Sequence, residues 1–282
     1  MQMRACAVVT RRGLCTVLTM VPVMVIMPAG CAAALPDLRA GVIAELGFPG
    51  KVRAAINFGN PILATRKPGG EAQGVSVDLA REAGRRLGLP VELVLFDSAG
   101  DVVNAVKARQ VDLAFVAIDP VRAADMEYTA PYVIIEGAYL VRNNSVMQRN
   151  EDVDRPGVRV VVGRGSAYDL YLVRELNAAT LVRAPTSPLV TDVFLAQNVE
   201  VAAGVKQQLQ ADAKRVGGVR LLPGRFMVIE QAMGVPKDRT AAQAWLSSYI
   251  EEMKASGFVA DALRRHGIAG ADVAPPRSTT GR

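Results

Sequence analysis

An arginine placed just beyond a buried strand and at the opening of a helical turn is a side chain suited to holding an anion, and Arg122 has that setting. The apolar run Leu113 to Ile118 has the length and Val/Ile/Phe content of a buried strand. Asp119 is a good N-cap and Pro120 the residue favoured at the first helical position. These residues predict a helix start with Arg122 in its first turn, beside backbone N–H groups that have no partner within the helix. Open α/β sheets hold small anions at this place, the carboxyl end of a strand. Ala117, on the strand end itself, and Asp119 join Arg122 as candidate ligand contacts.

A second candidate segment is Gly163-Arg164-Gly165-Ser166, followed by Ala-Tyr-Asp169. Ser166 as an N-cap with an acid three residues on is an acidic variant of a capping box. The N–H groups of such a helix start can meet an anion, with Gly165 and Ser166 closest to it and Arg164 a possible second cation. Thr186-Ser187-Pro188 reads as another helix start, and Thr186 is a candidate contact there. Asn57 and Asn60 stand in the loop Asn57-Phe-Gly-Asn60-Pro61, at the end of the first strand.

The elements that would carry these residues alternate. Strands are expected over Lys51 to Ile56, Val91 to Phe96 and Leu113 to Ile118, with a strand end running into a helix across Val75 to Leu87 and a further helix from Asp101 to Ala108. Pro68-Gly-Gly-Glu marks a hairpin-like turn. A second α/β run has strands over Val158 to Val162, Thr180 to Arg183 and Glu200 to Gly204. Helices from Ala167 to Asn177 and Leu189 to Gln197 lie between them. Two similar segments, Val133 to Tyr139 and Met227 to Met233, bracket this run, each with a glutamate at its centre (Glu136, Glu230). Helices over Thr240 to Ser256 and Phe258 to His266 should pack back on the first half. Strands alternating with helices imply an α/β fold with parallel sheet covered on both faces.

Composition narrows the chemistry. The chain has 282 residues, half of them hydrophobic, which is ample for a core of one to two domains. Arg4, Arg11 and Arg12 are the only charged residues before Leu35, so the remainder carries 30 basic and 27 acidic residues. That balance, with no basic run interleaved with aromatics, argues against a nucleic-acid partner. All three cysteines, Cys6, Cys15 and Cys31, fall in the first 31 residues, and His266 is the sole histidine. Disulfides, thiolate or histidine metal sites, a cysteine nucleophile and a Ser-His-Asp triad are therefore not expected in the folded part, nor is any cofactor. His266 is expected as a solvated helix-end residue.

The N-terminus has a basic region, an apolar run from Leu14 to Met27 and small residues from Ala29 to Ala34, the pattern of a secretory signal peptide over 1–34. Ala29-Gly30-Cys31 resembles a lipoprotein cleavage box, with Pro28 where leucine is usual, so lipidation of Cys31 stays open. Thr10-Arg-Arg-Gly-Leu leaves a twin-arginine route open as well. Residues 35–50 read as a linker and 269–282, with Pro275-Pro276, as a disordered tail.

Gly74-Val-Ser-Val-Asp78-Leu-Ala, Gln110-Val-Asp112-Leu, Ile118-Asp-Pro-Val-Arg122 and Tyr128-Thr-Ala-Pro131-Tyr132 resemble, in order and spacing, the signatures of the family 3 periplasmic solute-binding proteins, over roughly 51–266. These are the amino-acid receptors of ABC importers. The resemblance implies a bilobal type II periplasmic-binding-protein fold, two α/β lobes joined by a two-crossing hinge. Residues 51–132 and 229–268 would form lobe 1 and 133–228 lobe 2. It also implies a periplasmic monomer that closes on a small carboxylate or amino-acid ligand and docks on a membrane permease.

On this resemblance Arg122 aligns with the arginine that holds the ligand carboxylate, a task suited to its planar, bidentate donors. Gly163 to Ser166 stands where the family has a Gly-Thr-Thr segment. The aspartate that receives the ligand ammonium would fall near Val205, and Asn60, Leu63 and Ala99 replace the usual aromatic residues. Either the ligand lacks an α-amino group, or its cation is received by Asp119, Glu136 or Glu230. Two alternatives share the fold: a ligand sensor for a membrane kinase, and a periplasmic dehydratase in which Glu136 or Glu230 would act as acid or base.

Overall fold

The computed structural model describes residues 38–47 and 49–277. The signal-peptide and Cys31 expectations therefore lie outside the described residues, as do 278–282 of the expected tail. In chain order the elements of the first half are α1 (Leu38–Leu46), β1 (Val52–Asn57), β2 (Thr65–Arg66), β3 (Ala72–Gln73), α2 (Val75–Leu87), β4 (Val91–Phe96), α3 (Ala99–Lys107), β5 (Leu113–Ala117) and β6 (Met126–Tyr128). The long strand β7 (Val133–Arg142) leads into β8 (Arg159–Gly163), α4 (Ala167–Glu175), β9 (Thr180–Ala184), α5 (Val190–Ala196), β10 (Val201–Val205), α6 (Lys206–Val216) and β11 (Val219–Leu221). A second long strand, β12 (Met227–Pro236), returns to α7 (Thr240–Ala255), α8 (Phe258–Arg265) and β13 (Asp272–Val273).

The main sheet runs β4-β1-β5-β12-β7-β10-β8-β9. Pairing is parallel within each flank: β1 with β4 and β5, and β8 with β9 and β10. It turns antiparallel at the two long strands in the middle, where β12 pairs with β5 and with β7, and β7 with β10. The two similar segments of the sequence are thus partners, with Glu230 opposite Ile134 and Glu136 opposite Val228. They form the passage between two α/β flanks, here called lobe 1 (around β1, β4 and β5) and lobe 2 (around β8, β9 and β10).

One core runs through both flanks, and each flank adds a smaller one of its own. Lobe 1 packs Ile56, Leu79, Leu113 and Leu246 from strands and helices together, while Phe194, Val161, Val199 and Leu209 fill the outer face of lobe 2. Helix α2 is already helical at Val75, where a strand end was expected, and stops where expected, at Gly88, whose left-handed φ of 68° suits glycine. Helices α7 and α8 return to lobe 1: Tyr249 donates to the Leu79 carbonyl at 2.8 Å, and Arg86 of α2 pairs with Glu252.

Three expectations are corrected. The stretch 35–50, read as a linker, contains helix α1, whose Val42 and Leu46 are buried and whose Glu45 accepts from the Ala242 N–H of α7 at 2.8 Å. The stretch read as a disordered tail includes β13, paired with β7, and is held further by Lys254, which donates to the Pro275 carbonyl. His266 is not a solvated helix end: its Nε2 lies 2.9 Å from the Asp78 carboxylate, which Arg265 also contacts.

Candidate functional site

Strand β5 ends at Ala117, and the chain turns sharply. The helix expected after Pro120 is a single 3-10 turn, Arg122–Ala124. Asp119 still caps, accepting from the Val121 N–H at 2.8 Å, but no α-helix follows, because the chain is drawn at once into β6 beside β12. Arg122 therefore owes its position to the turn rather than to a helix dipole. It is 2 % exposed. One terminal nitrogen donates to the Ala117 carbonyl at 2.8 Å and the other crosses to lobe 2, donating to the Gly165 carbonyl at 2.9 Å. Its Nε has no hydrogen-bond partner. Burial pushes the guanidinium below its ordinary value, with Tyr128 and Asp119 opposing the shift in part. Arg122 makes no ion pair among the described residues; Asp125, close by in sequence, faces Lys107 at 3.6 Å.

On lobe 2, Ser166 caps α4 as expected, accepting from the Asp169 N–H at 3.0 Å. The Asp169 carboxylate does not complete a capping box. It accepts from the Gly165 N–H at 2.9 Å and from Arg183, which fixes the loop that offers the Gly165 carbonyl. Gly165 has φ +67°, and a Cβ there would sit 3.1 Å from the Cα of Gly100. The two glycines mark where the lobes touch. Arg164 points to solvent.

Between the lobes is a cavity of about 30 Å3. From lobe 1 it is lined by Arg122, Ala117, Asn57, Asn60, Gly59 and Ala99; from lobe 2 by Ser166, Ala167, Tyr168, Ser187 and Val205; and from β12 by Ile229 and Gln231. The structure thus gathers Arg122, Ala117, Asn57, Asn60 and Ser166 around one space, with Gly165 at its edge through the bond to Arg122. Asn57 Oδ1 accepts from the Gly59 N–H at 2.9 Å, whereas Asn60 Oδ1 is buried without a partner. Burial raises the Tyr168 phenol, so it stays neutral.

Four candidates lie elsewhere, as does Leu63. Asp119 is buried but turned to lobe 2, where its Oδ2 accepts from Arg174 at 2.9 Å. Thr186 faces a shallower groove with Phe58 and Pro188, and its neighbour Ser187 lines the cavity in its place. Glu136 is held by Lys206 and Arg225, each at 2.7 Å, and the Lys206 bond foremost draws its carboxyl below the usual range. Glu230 is exposed, because strand alternation turns Ile229 and Gln231 inward and Val228 and Glu230 outward. Leu63 is buried in the core of lobe 1. No Asp, Glu or His among the described residues lines the cavity.

Gln231, Ser187, Gly59 and Tyr168 were missed. Ser187 carries a signal in the sequence, since a Cβ on Gly163 would lie 2.7 Å from its Cα, so a glycine at the end of β8 admits the Ser187 loop to the site.

The family profile for bacterial extracellular solute-binding proteins, family 3, matches residues 52–268. No curated protein matches the chain. Among solved structures, a mutant of ArgBP from T. maritima is similar at TM-score 0.70 and 18 % identity, covering 81 % of this chain and 100 % of that one. A solute receptor for L-cysteine from Neisseria gonorrhoeae is similar at TM-score 0.70 and 21 % identity, covering 79 % and 92 %. A histidine kinase sensor domain with similarity to periplasmic binding proteins reaches TM-score 0.69 at 18 % identity, covering 79 % and 98 %. At these identities the likeness is one of fold, the two-lobed α/β architecture of periplasmic binding proteins. No helix among the described residues is long and apolar enough to cross a membrane.

Proposed function

The chain belongs to the bacterial extracellular solute-binding proteins, family 3, and from that premise we propose that it is the periplasmic receptor of an ABC importer, capturing a small carboxylate-bearing solute between its lobes. The observation that carries this reading is Arg122: buried, facing the inter-lobe cavity, without a carboxylate partner among the described residues and with Nε unpaired. A buried guanidinium gains most from a planar anion that takes two donors at once. Domain bounds of 51–132 and 229–268 for lobe 1 and 133–228 for lobe 2 accompany the proposal, as do export by the 1–34 segment and a monomeric state. The cavity lining offers no carboxylate or imidazole to act as acid or base, which favours capture over dehydration.

A thermal-shift screen of the protein against carboxylic acids tests the reading. A ligand at about 100 times its Kd should add roughly 2.7 kcal/mol of stability. Truncating a buried partner of a charged hydrogen bond costs about 2–5 kcal/mol, so Arg122→Ala should weaken the best acid by roughly 30-fold or more. Unchanged affinity in that variant would refute the carboxylate site. The histidine kinase sensor domain among the similar folds supports a second reading, reception for a membrane kinase. Loss of solute uptake on gene deletion favours the importer, and loss of a transcriptional response with uptake intact favours the sensor.

A further inference from the structure

The charge inventory of the cavity points further than a carboxylate. Arg122 is the one cation lining it, and every other lining side chain among the described residues is neutral. The nearby acids are committed elsewhere: Asp119 to Arg174, Asp169 to Arg183, Glu136 to Lys206 and Arg225. A monoanion would neutralise the site. A zwitterion would leave the site with a net positive charge, since its ammonium group would enter a space with no anion to receive it, which is unfavourable in a poorly solvated site.

The neutral groups specify what should stand in place of the ammonium. Asn60 is 8 % exposed and its Oδ1 is buried without a partner, a free acceptor on the lobe 1 side. Gln231 is 5 % exposed, and its side-chain amide makes no hydrogen bond to a described residue. An acceptor and an amide lining the same space as a guanidinium fit a hydroxyl group adjacent to a carboxylate, which donates once and accepts once. Val205 closes the lobe 2 wall with an apolar surface. The cavity has room for about two waters, and Gly100 and Gly165 already touch across the cleft, so the solute is short.

Resting on the reading of this cleft as a carboxylate receptor, we propose that the protein selects small 2-hydroxymonocarboxylates over the amino acids of the same shape. Four three-carbon acids isolate the substituent: L-lactate (hydroxyl), pyruvate (keto oxygen), propionate (hydrogen) and L-alanine (ammonium). Calorimetry on the protein should show L-lactate binding most tightly, propionate about 10-fold weaker for want of the donor to Asn60, and L-alanine about 100-fold weaker or silent. Asn60→Ala removes the acceptor and should bring L-lactate and propionate within about twofold of each other. That ratio, measured within one variant, does not depend on how stably the variant folds. Val205→Asp should transfer preference from L-lactate to L-alanine by supplying the missing anion.

L-alanine binding as tightly as L-lactate, or a lactate-to-propionate ratio unmoved by Asn60→Ala, overturns the proposal. Failure of all four acids, with a larger carboxylate binding in an Arg122-dependent way, overturns it while sparing the receptor reading. If no carboxylate binds at all, both fall.

Discussion

The salt bridge between Asp119 and Arg174 joins the lobes a short distance from the cavity, and removing it should change closure without changing the cavity. Asp119 is buried at the end of β5, accepting from the Val121 N–H with one oxygen and from Arg174 of α4 with the other. Asp119→Asn keeps the first bond and turns an amide donor toward the guanidinium. A hydrogen bond to a charged group contributes about 1.5–3 kcal/mol. The Arg174 side chain is 37 % exposed, so solvent screening reduces this to about 1–2 kcal/mol. In an open form both groups are hydrated, and the loss falls on the closed state alone. Apparent ligand affinity should then drop about 5- to 30-fold, and small-angle scattering of the unliganded variant should show a larger radius of gyration. The double variant with Arg174→Gln should be no weaker than either single one, and the defect should shrink between about 50 and about 500 mM salt. An affinity within twofold of wild type, or single effects that simply add, would refute the coupling of this bridge to closure.

Gly100→Leu should behave in the same direction by steric means, since its Cβ would lie 3.7 Å from the Cα of Gly165 while leucine suits helix α3 better than glycine. Ligand affinity should fall at least about 10-fold with the unliganded melting temperature unchanged or raised; unimpaired binding would contradict the closure geometry. Leu46→Ala should cost about 3 kcal/mol in urea denaturation, because Leu46 is 1 % exposed and packed in the core of lobe 1; a cost near zero would return 38–46 to the status of a connector. The Glu82 carboxyl is drawn down to about 2, first by its bond to Arg85 and then by Arg86. A depressed carboxyl stabilises the fold above its ordinary value and loses that contribution as pH falls through the depressed one. The melting-temperature advantage of wild type over Glu82→Gln should therefore be full above about pH 5 and fade toward pH 2; an advantage that grew on acidification would reverse the assignment.

What the sequence disclosed of the fold follows from where local pattern and tertiary packing agree. Strand β4 and helix α2 were readable because apolar runs ended at turn residues, Gly88 and Pro90 among them. Helix α1 was not, because Val42 and Leu46 sit among Ala, Gly and Ile with little polar contrast to mark a buried face. Contact with α7 and α2 orders it. The residues 272–273 likewise carry no strand signal of their own; the open edge of β7 recruits them.

The site divides along the same line. Arg122 and Ser166 could be found because each follows a recognisable strand, Arg122 just behind the capping Asp119 and Ser166 as the cap itself. Glu136 and Glu230 were misplaced, since alternation along β12 fits two phases equally well: Ile229, Gln231 and Met233 share one face, Val228, Glu230 and Ala232 the other. Pairing with β5 and β7 decides between them. The cations that hold Glu136 are 70 and 89 residues away, beyond any local pattern.

Arg122 itself joins binding to closure. Its guanidinium reaches across the cleft to the Gly165 carbonyl, so the group that would hold a carboxylate already ties lobe 1 to lobe 2. An arriving anion would exchange a neutral acceptor for a charged one at these donors, a stronger bond. On the proposed reading, closing the lobes on a solute and binding its carboxylate would both act through this side chain, so an Arg122 variant cannot separate them. Asp119, Arg174 and Gly100 can, because they touch the opposite lobe without lining the cavity.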